Sequence, residues 1–441
     1  MLTQSPDFGC WKWPKTANNI SRCSSSLFSV RCSSSFSVPQ RPISRYAVLG
    51  AGFAGLSVAW NLLQHGPKES HIHVDIYDEV GIGGGASGVA GGLLHPYSPK
   101  VKLLWRGEDL WKESLYLLDI AERALINEGK GATPENSVSP IIRRRGILRP
   151  AVNMKHIGVM TENAQNCLAN CRIELVHGDA AQKLVPNLSV PSNTAFYMPE
   201  ALNINAQNYL QGLYLACENL ANDMSTSGHG HRKLNFRQES VKSLSELAGD
   251  FDAVIVCFGA RTAFLPELCG KLPLRTCRGI IAQLQLGDDI REEILKESPS
   301  ILSDAWLAVH GGRHMDLGST WDWNSINHSR DVAKDEANEA AEALVQKACL
   351  VYPPVKNWSV NGAVGGLRAM PPLTEHGSLP ILGSLDELVD AGPTCKYWLF
   401  TGLGARGLLF HGWFGRVLAQ AVLACDEGLL PHQLTLWKRS Y

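Results

Sequence analysis

Tyr46-Ala47-Val48-Leu49-Gly50-Ala51-Gly52-Phe53-Ala54-Gly55 decides how this chain is read. A short apolar run ending in glycine reads as a buried parallel strand. Ala54 to Leu63 then reads as a helix, closed near Gly66-Pro67. His73 to Asp78 is a second strand and ends in an acid. Strand, helix and strand within about 30 residues make a βαβ unit. In that setting the GxGxxG formed by Gly50, Gly52 and Gly55 predicts a dinucleotide site. Gly50 permits the tight turn, Gly52 lets a diphosphate approach the backbone, and Gly55 lets the helix pack closely on the strand. The helix N-terminus offers N–H groups and the positive end of its dipole. Gly50, Ala51, Gly52, Phe53, Ala54 and Gly55 are therefore the candidate diphosphate cradle, and Asp78 the candidate acceptor for ribose hydroxyls. The full fingerprint, with strand, helix and the acid closing the second strand, occurs once, which predicts one tightly held nucleotide.

Beyond the acid, Gly81 to Gly92 reads GIGGGASGVAGG. Such a loop lets backbone pass close to a phosphate or a flat ring. Ala86, Ser87, Gly91 and Gly92 are its candidate contacts, with the Ser87 hydroxyl suited to a phosphate oxygen. Trp105 to Asn127 is a long amphipathic helix, followed by a loop over 131–140. Gly146-Ile147-Leu148 is strand-like, Ala206–Leu220 helical, and 224–233 polar enough to be an exposed turn. Asp252 to Gly259 repeats the buried strand ending in glycine, and strand-like pieces follow at Gly279–Leu286 and Trp306–Val309. Asp331 to Leu350 is a strong amphipathic helix. The last segment runs from a strand, Tyr397–Thr401, through a glycine loop to a helix from Leu408 to Cys425. Trp306, Trp321 and Trp323 are core or pocket residues on this reading.

With 441 residues, 45% hydrophobic and 19% charged, the chain has the composition of a globular protein with a large core. No apolar run reaches the roughly 18–20 residues of a membrane span. The net charge is −1. Without residues 1–44 the body holds 36 basic and 41 acidic residues, so no basic footprint for nucleic acid appears. Arg143-Arg144-Arg145 reads as a solvated surface turn. The 12 cysteines include no CxxC and no zinc spacing. No metal site is expected. Cys167 and Cys171, four apart, suit one helix face, and scattered thiols of this kind suit a reducing compartment.

Residues 21–40 hold nine serines with Arg22 and Arg31 and no acid. Ser-rich, Arg-bearing, acid-poor composition is that of an organellar transit peptide. The serine abundance and Val30-Arg31-Cys32-Ser33 favour a chloroplast over a mitochondrion, with the mature chain starting shortly before Arg45.

Taken in order, several blocks resemble one superfamily. They are Val48–Gly55 with Asp78, Gly85-Ala86-Ser87-Gly88 running into Gly91-Gly92-Leu93-Leu94, Asp252–Ala260 with its Gly259 turn, and Leu272-Pro273-Leu274 with Arg278-Gly279. Gly365-Gly366-Leu367-Arg368 with Leu379-Pro380-Ile381-Leu382-Gly383, and Gly402-Leu403-Gly404-Ala405-Arg406-Gly407-Leu408, complete the set. From Arg45 to about Cys425 the chain resembles the D-amino-acid oxidase/glycine oxidase superfamily of FAD-dependent oxidoreductases. It is similarly close to the flavin domain of the bacterial enzyme that modifies the tRNA wobble uridine. The resemblance implies an α/β fold, with a Rossmann-type FAD-binding domain from residues 45–130, 205–272 and 361–441. An α+β substrate domain on a mixed or antiparallel sheet would come from 131–204 and 273–360, behind a transit segment over 1–44. The late signature departs from the family's: Ala369-Met370-Pro371-Pro372-Leu373-Thr374-Glu375-His376 inserts residues before Leu379-Pro380. No cysteine lies near Arg368 to Pro372, where related sarcosine oxidases attach their flavin, so the resemblance implies non-covalent FAD.

The chemistry it implies is oxidation of a C–N bond in a small amine or amino acid, by hydride transfer to flavin N5 with oxygen as acceptor. The cofactor carries that chemistry while the protein orients the substrate. Arg368 matches the position that grips the substrate carboxylate, and guanidinium geometry suits a bidentate pair. Arg406 is placed either to hold substrate or to shape the flavin edge. Gly259 and the backbone of Gly404, Ala405, Arg406, Gly407 and Leu408 are placed to face the flavin, the latter by opening the last helix. His411 suits packing or capping more than acid–base work, and His95 is open between the two. Two other functions stay in view: oxidation of a secondary amine on modified tRNA, and a flavin-binding assembly factor with little turnover.

Overall fold

The computed structural model describes residues 43–129, 140–226, 230–286, 296–311, 313–389 and 395–440. The targeting segment expected over 1–44 lies outside them, except that Ile43 and Ser44 already belong to the first strand. In chain order the main elements begin with β1 (Ile43–Leu49), α1 (Phe53–His65), β2 (His71–Tyr77) and α2 (Gly107–Gly129). Next come β3 (Ile147–Pro150), β4 (Glu174–His177), β5 (Thr194–Met198), α3 (Ala206–Thr226), β6 (Arg232–Arg237) and β7 (Ala253–Val256). Then follow β8 (Arg275–Gln285), β9 (Ser300–Ile301), β10 (Trp306–Gly311), β11 (His314–Gly318) and α4 (Lys334–Ala348). The chain closes with β12 (Ser359–Met370), β13 (Ile381–Ser384), β14 (Lys396–Thr401) and α5 (Gly407–Ala424).

Two sheets organise these elements, a mixed α/β architecture. The first has the order β13-β14-β7-β1-β2-β6 and is parallel apart from its edge strand β13. The second has the order β12-β8-β11-β10-β9-β3-β5-β4 and is antiparallel apart from the β9–β3 pair. The chain alternates between the sheets, so neither is a continuous stretch of sequence.

The second half of β1, Tyr46–Leu49, is a buried apolar run because helices cover one face of its sheet and a second apolar layer covers the other. On the helical side α1, α2, α3 and α5 pack together. Their approach is close where residues are small. A β-carbon on Gly415 of α5 would stand 2.1 Å from Ser57 Oγ of α1. Ser57 Oγ donates to His411 O at 2.8 Å, fixing the same crossing. A β-carbon on Gly55 would stand 1.8 Å from Gly50 O, so only glycine lets α1 start directly over the turn from β1.

The second sheet sorts its residues by alternation. Leu148, Ile301, Leu307 and Leu317 face a core closed by Ala341, Leu344 and Ala348 of α4. Their neighbours Arg149, Trp306 and Gly318 turn the other way.

Three local expectations are corrected. Residues 224–233 are not simply an exposed turn. Arg232 opens β6 with 2% of its surface exposed, and donates to Leu63 O, Gly66 O, Pro67 O and Ser70 O at the end of α1. Four carbonyl acceptors make its burial tolerable. Arg143 is only half-exposed. It pairs with Asn203 as part of a short strand and donates to Lys296 O and Ser298 O, while Arg144 and Arg145 do form surface ion pairs. Cys167 and Cys171 share no helix face, because the preceding helix ends at Ala164 and they occupy the turn and bridge beyond it.

Candidate functional site

A cavity of about 480 Å³ opens where the C-terminal ends of β1, β2, β7 and β14 meet the inner face of the second sheet. Ligands of open α/β sheets bind beyond the carboxyl ends of the strands, and the volume lies in the usual range for small-molecule sites. Gly50, Gly52, Phe53, Ala54, Asp78, Ala86, Ser87, Gly91, Gly92, Gly259, Arg368 and Gly404 to Leu408 all line it. Of the candidate residues, Ala51 and Gly55 do not; they lie behind the turn, where Gly55 serves packing.

At the α1 end, the Ser87 hydroxyl accepts from Phe53 N at 3.1 Å, capping the helix. Its own O–H remains a donor toward the cavity. A β-carbon on Gly52 would stand 2.8 Å from that same Oγ. Asp78 does more than wait for a sugar. One carboxylate oxygen accepts from Ala51 N at 2.9 Å, and the other from Val80 N and Gly81 N at 3.0 and 3.1 Å. Its carboxylate therefore ties the glycine turn to the start of the next loop, with lone pairs to spare. Beside it, Arg261 grips Glu79 through both guanidinium nitrogens. Burial alone would raise the Glu79 pKa, but hydrogen bonds from Ser240 and Arg261 and the Arg261 charge outweigh it and hold the pKa below the ordinary value.

Opposite, β12 carries Arg368. Its Nη2 donates to Ser319 Oγ at 3.1 Å and Thr320 O at 2.8 Å, and the guanidinium carbon lies 4.3 Å from the centre of the Trp321 ring. No carboxylate pairs with it among the described residues. Burial lowers its pKa, partly offset by Cys277. The adjacent Arg278 turns away from the cavity to Glu336 and the carbonyls of Asn327, Ser329 and Asp331. Trp306 fills a slot between Gly91 and Gly318, where β-carbons would come within 2.1 and 2.3 Å of its indole. Trp321 also lines the cavity but is 47% exposed, and Trp323, 40% exposed, stacks on it. Neither is a core residue.

Arg406 caps α5 and donates from Nη1 to Tyr97 O at 2.9 Å. Burial, then the charge of Arg149, brings its pKa down to about 10. His95 lines the same wall, and its Nδ1 accepts from Tyr97 N at 3.3 Å. Burial, then Arg406 and Arg149, lowers its pKa to about 3, so it is neutral with its proton on Nε2. His411 is fully buried and takes the packing role. It donates from Nδ1 to Gly407 O at 3.1 Å and accepts at Nε2 from the Tyr209 hydroxyl at 2.6 Å. The first turn of α5 is fixed by that pair.

Arg149, Asp304 and the Glu79–Arg261 pair were not among the residues singled out by sequence. The available signal for Arg149 was a charge inside an apolar strand, Ile147-Leu148-Arg149-Pro150. Among the described residues no cluster could hold a metal ion, and no helix is long and apolar enough to cross a membrane.

The sequence matches the family described as FAD dependent oxidoreductase over residues 45–421. The chain is similar in structure to glycine oxidase from Geobacillus kaustophilus, with a TM-score of 0.63 and 17% identity over 89% of this chain and 98% of that one. Iminodiacetate oxidase from Chelativorans sp. BNC1 superposes equally well, with a TM-score of 0.63 and 18% identity over the same shares of the two chains. A curated relative, the putative thiamine biosynthesis oxidoreductase ThiO of Rhizobium etli, is 39% identical over 79 residues, covering 16% of this chain and 23% of that protein. The likeness to the flavin domain of the wobble-uridine enzyme is not confirmed by these matches.

Proposed function

The chain belongs to the family of FAD-dependent oxidoreductases, and on that premise we propose that it oxidises the C–N bond of a small amine or amino acid bearing a carboxylate. FAD is its cofactor, and the cradle fits: the Gly52 backbone is bare where a side chain would fill the approach to Ser87. Gly52, Phe53, Ser87 and Asp78 would hold the dinucleotide, and the loop from Gly404 to Leu408 would face the ring. The chemistry FAD supplies is two-electron acceptance: a hydride leaves the carbon beside nitrogen, C–N becomes C=N with loss of the N–H proton, and dioxygen takes the electrons onward as hydrogen peroxide.

The observation that supports this substrate class is Arg368, a half-buried guanidinium on the cavity wall with no carboxylate partner among the described residues. Its backbone and hydroxyl partners fix the plane, and its free edge suits a bidentate carboxylate. A buried cation without a counter-ion is costly, and a substrate carboxylate removes that cost. The chain needs no strong base in this scheme, because the neutral amine supplies the electron push.

The test is anaerobic mixing of the FAD-loaded chain with a panel of amino acids and secondary amines. Bleaching of the flavin band by a small carboxylate-bearing amine, lost in Arg368→Ala while the bound flavin stays, supports the reading. Bleaching by no amine, or unchanged apparent affinity in Arg368→Ala, overturns it.

A further inference from the structure

We propose that Trp321 is a positioning residue: its ring, braced from outside by Trp323 and Arg275, holds the Arg368 guanidinium against tilt as it meets the substrate carboxylate. This rests on the reading of Arg368 as the group that takes that carboxylate.

The hydrogen bonds of Arg368 anchor one corner of its plane. Both leave from Nη2, to Ser319 Oγ at 3.1 Å and Thr320 O at 2.8 Å. Neither bears on the face of the guanidinium, and a two-point grip on a carboxylate fails when the plane tips. The Trp321 ring bears on that face, its centre 4.3 Å from the guanidinium carbon. An indole is well suited to this, because the planar, weakly hydrated guanidinium stacks on aromatic faces.

The segment after β11 puts the ring there. Thr320 N donates to Ile280 O at 3.1 Å, and Thr320 Oγ1 accepts from Ile280 N at 2.9 Å. Asp322 and Arg278 exchange both of their backbone bonds, at 2.9 and 2.8 Å. Trp321 is thus clamped between two attachments to β8. Residues paired across such a bridge share a face. Arg278 turns away from the cavity to Glu336, so Trp321 and Trp323 alternate to the opposite face, where Trp321 lines the cavity. On that face β8 sets only Cys277 and Gly279 beside Arg368 and Gly366 of β12. The bare Gly279 lets Arg368 reach across the strand, since a β-carbon there would stand 1.6 Å from its Nη2.

Trp321 is 47% exposed, and an indole at a rim needs a brace to keep one rotamer. Trp323 stands behind it, with ring centres 6.0 Å apart and planes 26° from parallel. Arg275 lies over Trp323, its guanidinium carbon 4.7 Å from the ring centre. Arg275 belongs to the same face of β8 as Cys277 and Gly279. Each contact in this row, stacked indoles and cation on indole, is favourable in its own right. Neither Trp323 nor Arg275 lines the cavity, so both act on a ligand through Trp321 and Arg368.

The experiment uses the FAD-loaded protein, acetate as the probe and perturbation of the visible flavin band as the readout. Acetate carries no side chain to lie on the indoles. Trp321→Leu should raise its Kd about tenfold and Trp323→Leu about threefold, while Trp321→Phe, which keeps a ring face, should stay within about threefold of the wild type. FAD content should be the same in all three. In an Arg368→Lys background, where no planar group is left to hold, Trp321→Leu should cost less than about twofold. With the amine substrate found by flavin bleaching, Trp321→Leu should raise KM and leave kcat in place. An unchanged Kd in Trp321→Leu, or a loss in kcat alone, overturns the proposal. So does a full loss that survives in the Arg368→Lys background, because the indole would then touch the ligand itself. If Trp321→Leu sheds its flavin, Trp323→Leu decides, and an unchanged Kd there overturns the proposal. If acetate does not bind the wild type, or binds Arg368→Met equally well, the reading of Arg368 fails too. Failure of the tryptophan variants alone leaves that reading standing.

Discussion

A β-carbon on Gly279 would stand 1.6 Å from Arg368 Nη2. The two residues sit on neighbouring strands, Gly279 paired with Gly366 and Arg368 with Cys277. The bare backbone of one is the bed on which the guanidinium of the other lies. Gly279→Ala should therefore push Arg368 out of plane without touching the dinucleotide cradle. The expected outcome is full flavin content with a loss of about 2 kcal/mol in carboxylate affinity, the scale of a charge-assisted hydrogen bond. That is a KM raised about 30-fold, and steady-state kinetics on the substrate found by flavin bleaching reads it. An unchanged KM would separate Gly279 from the substrate site.

His411 makes the fold sensitive to acid. Its folded pKa is about 4, lowered from 6.5 by burial and partly restored by its bonds to Gly407 and Leu408. The unfolded chain therefore binds a proton that the folded chain refuses. Stability is complete above about 6.5 and falls as pH drops from there toward 4, at up to about 1.4 kcal/mol per pH unit. Denaturant titrations between those limits should show that slope, and His411→Asn should flatten it. His95 adds to the same trend in the cofactor-free chain, since its pKa is also lowered.

Arg232→Met should cost about 3 kcal/mol in chemical denaturation, because four carbonyls at the end of α1 lose a shared donor in a buried place. Arg232→Lys should recover only part, since an ammonium cannot reproduce the fork. A loss under 1 kcal/mol for Arg232→Met would mean that water replaces the guanidinium.

The parts of the site that sequence made legible are those built within a few residues. The turn at Gly50, α1 and Asp78 depend on local spacing, and so does the loop at Gly402 leading into α5. Arg149 was not legible because only the register of distant strand pairs puts it on the cavity face. Arg143 and Arg232 were misjudged for a related reason. Each lies in a run of basic residues, Arg143-Arg144-Arg145 and His231-Arg232-Lys233, which argues exposure, but each finds backbone carbonyls from another part of the chain. Cys167 and Cys171 have helical spacing in a segment that has already left its helix. Asp78 was read as a sugar acceptor, and its bonds to Ala51, Val80 and Gly81 depend on a loop fold that spacing does not reveal.

The cradle itself can be tested by a pair of substitutions at one contact. Gly52→Ala places a methyl 2.8 Å from Ser87 Oγ, so it both fills the diphosphate approach and displaces the helix cap. Ser87→Ala removes the cap and one hydroxyl donor toward FAD, and the double variant removes the collision but keeps the methyl. If the bare backbone is what admits FAD, Gly52→Ala and the double variant should both bind it at least tenfold more weakly, while Ser87→Ala loses only about 1 kcal/mol of helix stability and modest affinity. Isothermal titration of the flavin-stripped protein with FAD separates the cases. Recovery of affinity in the double variant would show that the Ser87 cap, not the open backbone at Gly52, governs binding, because the methyl would then be harmless once its collision is gone.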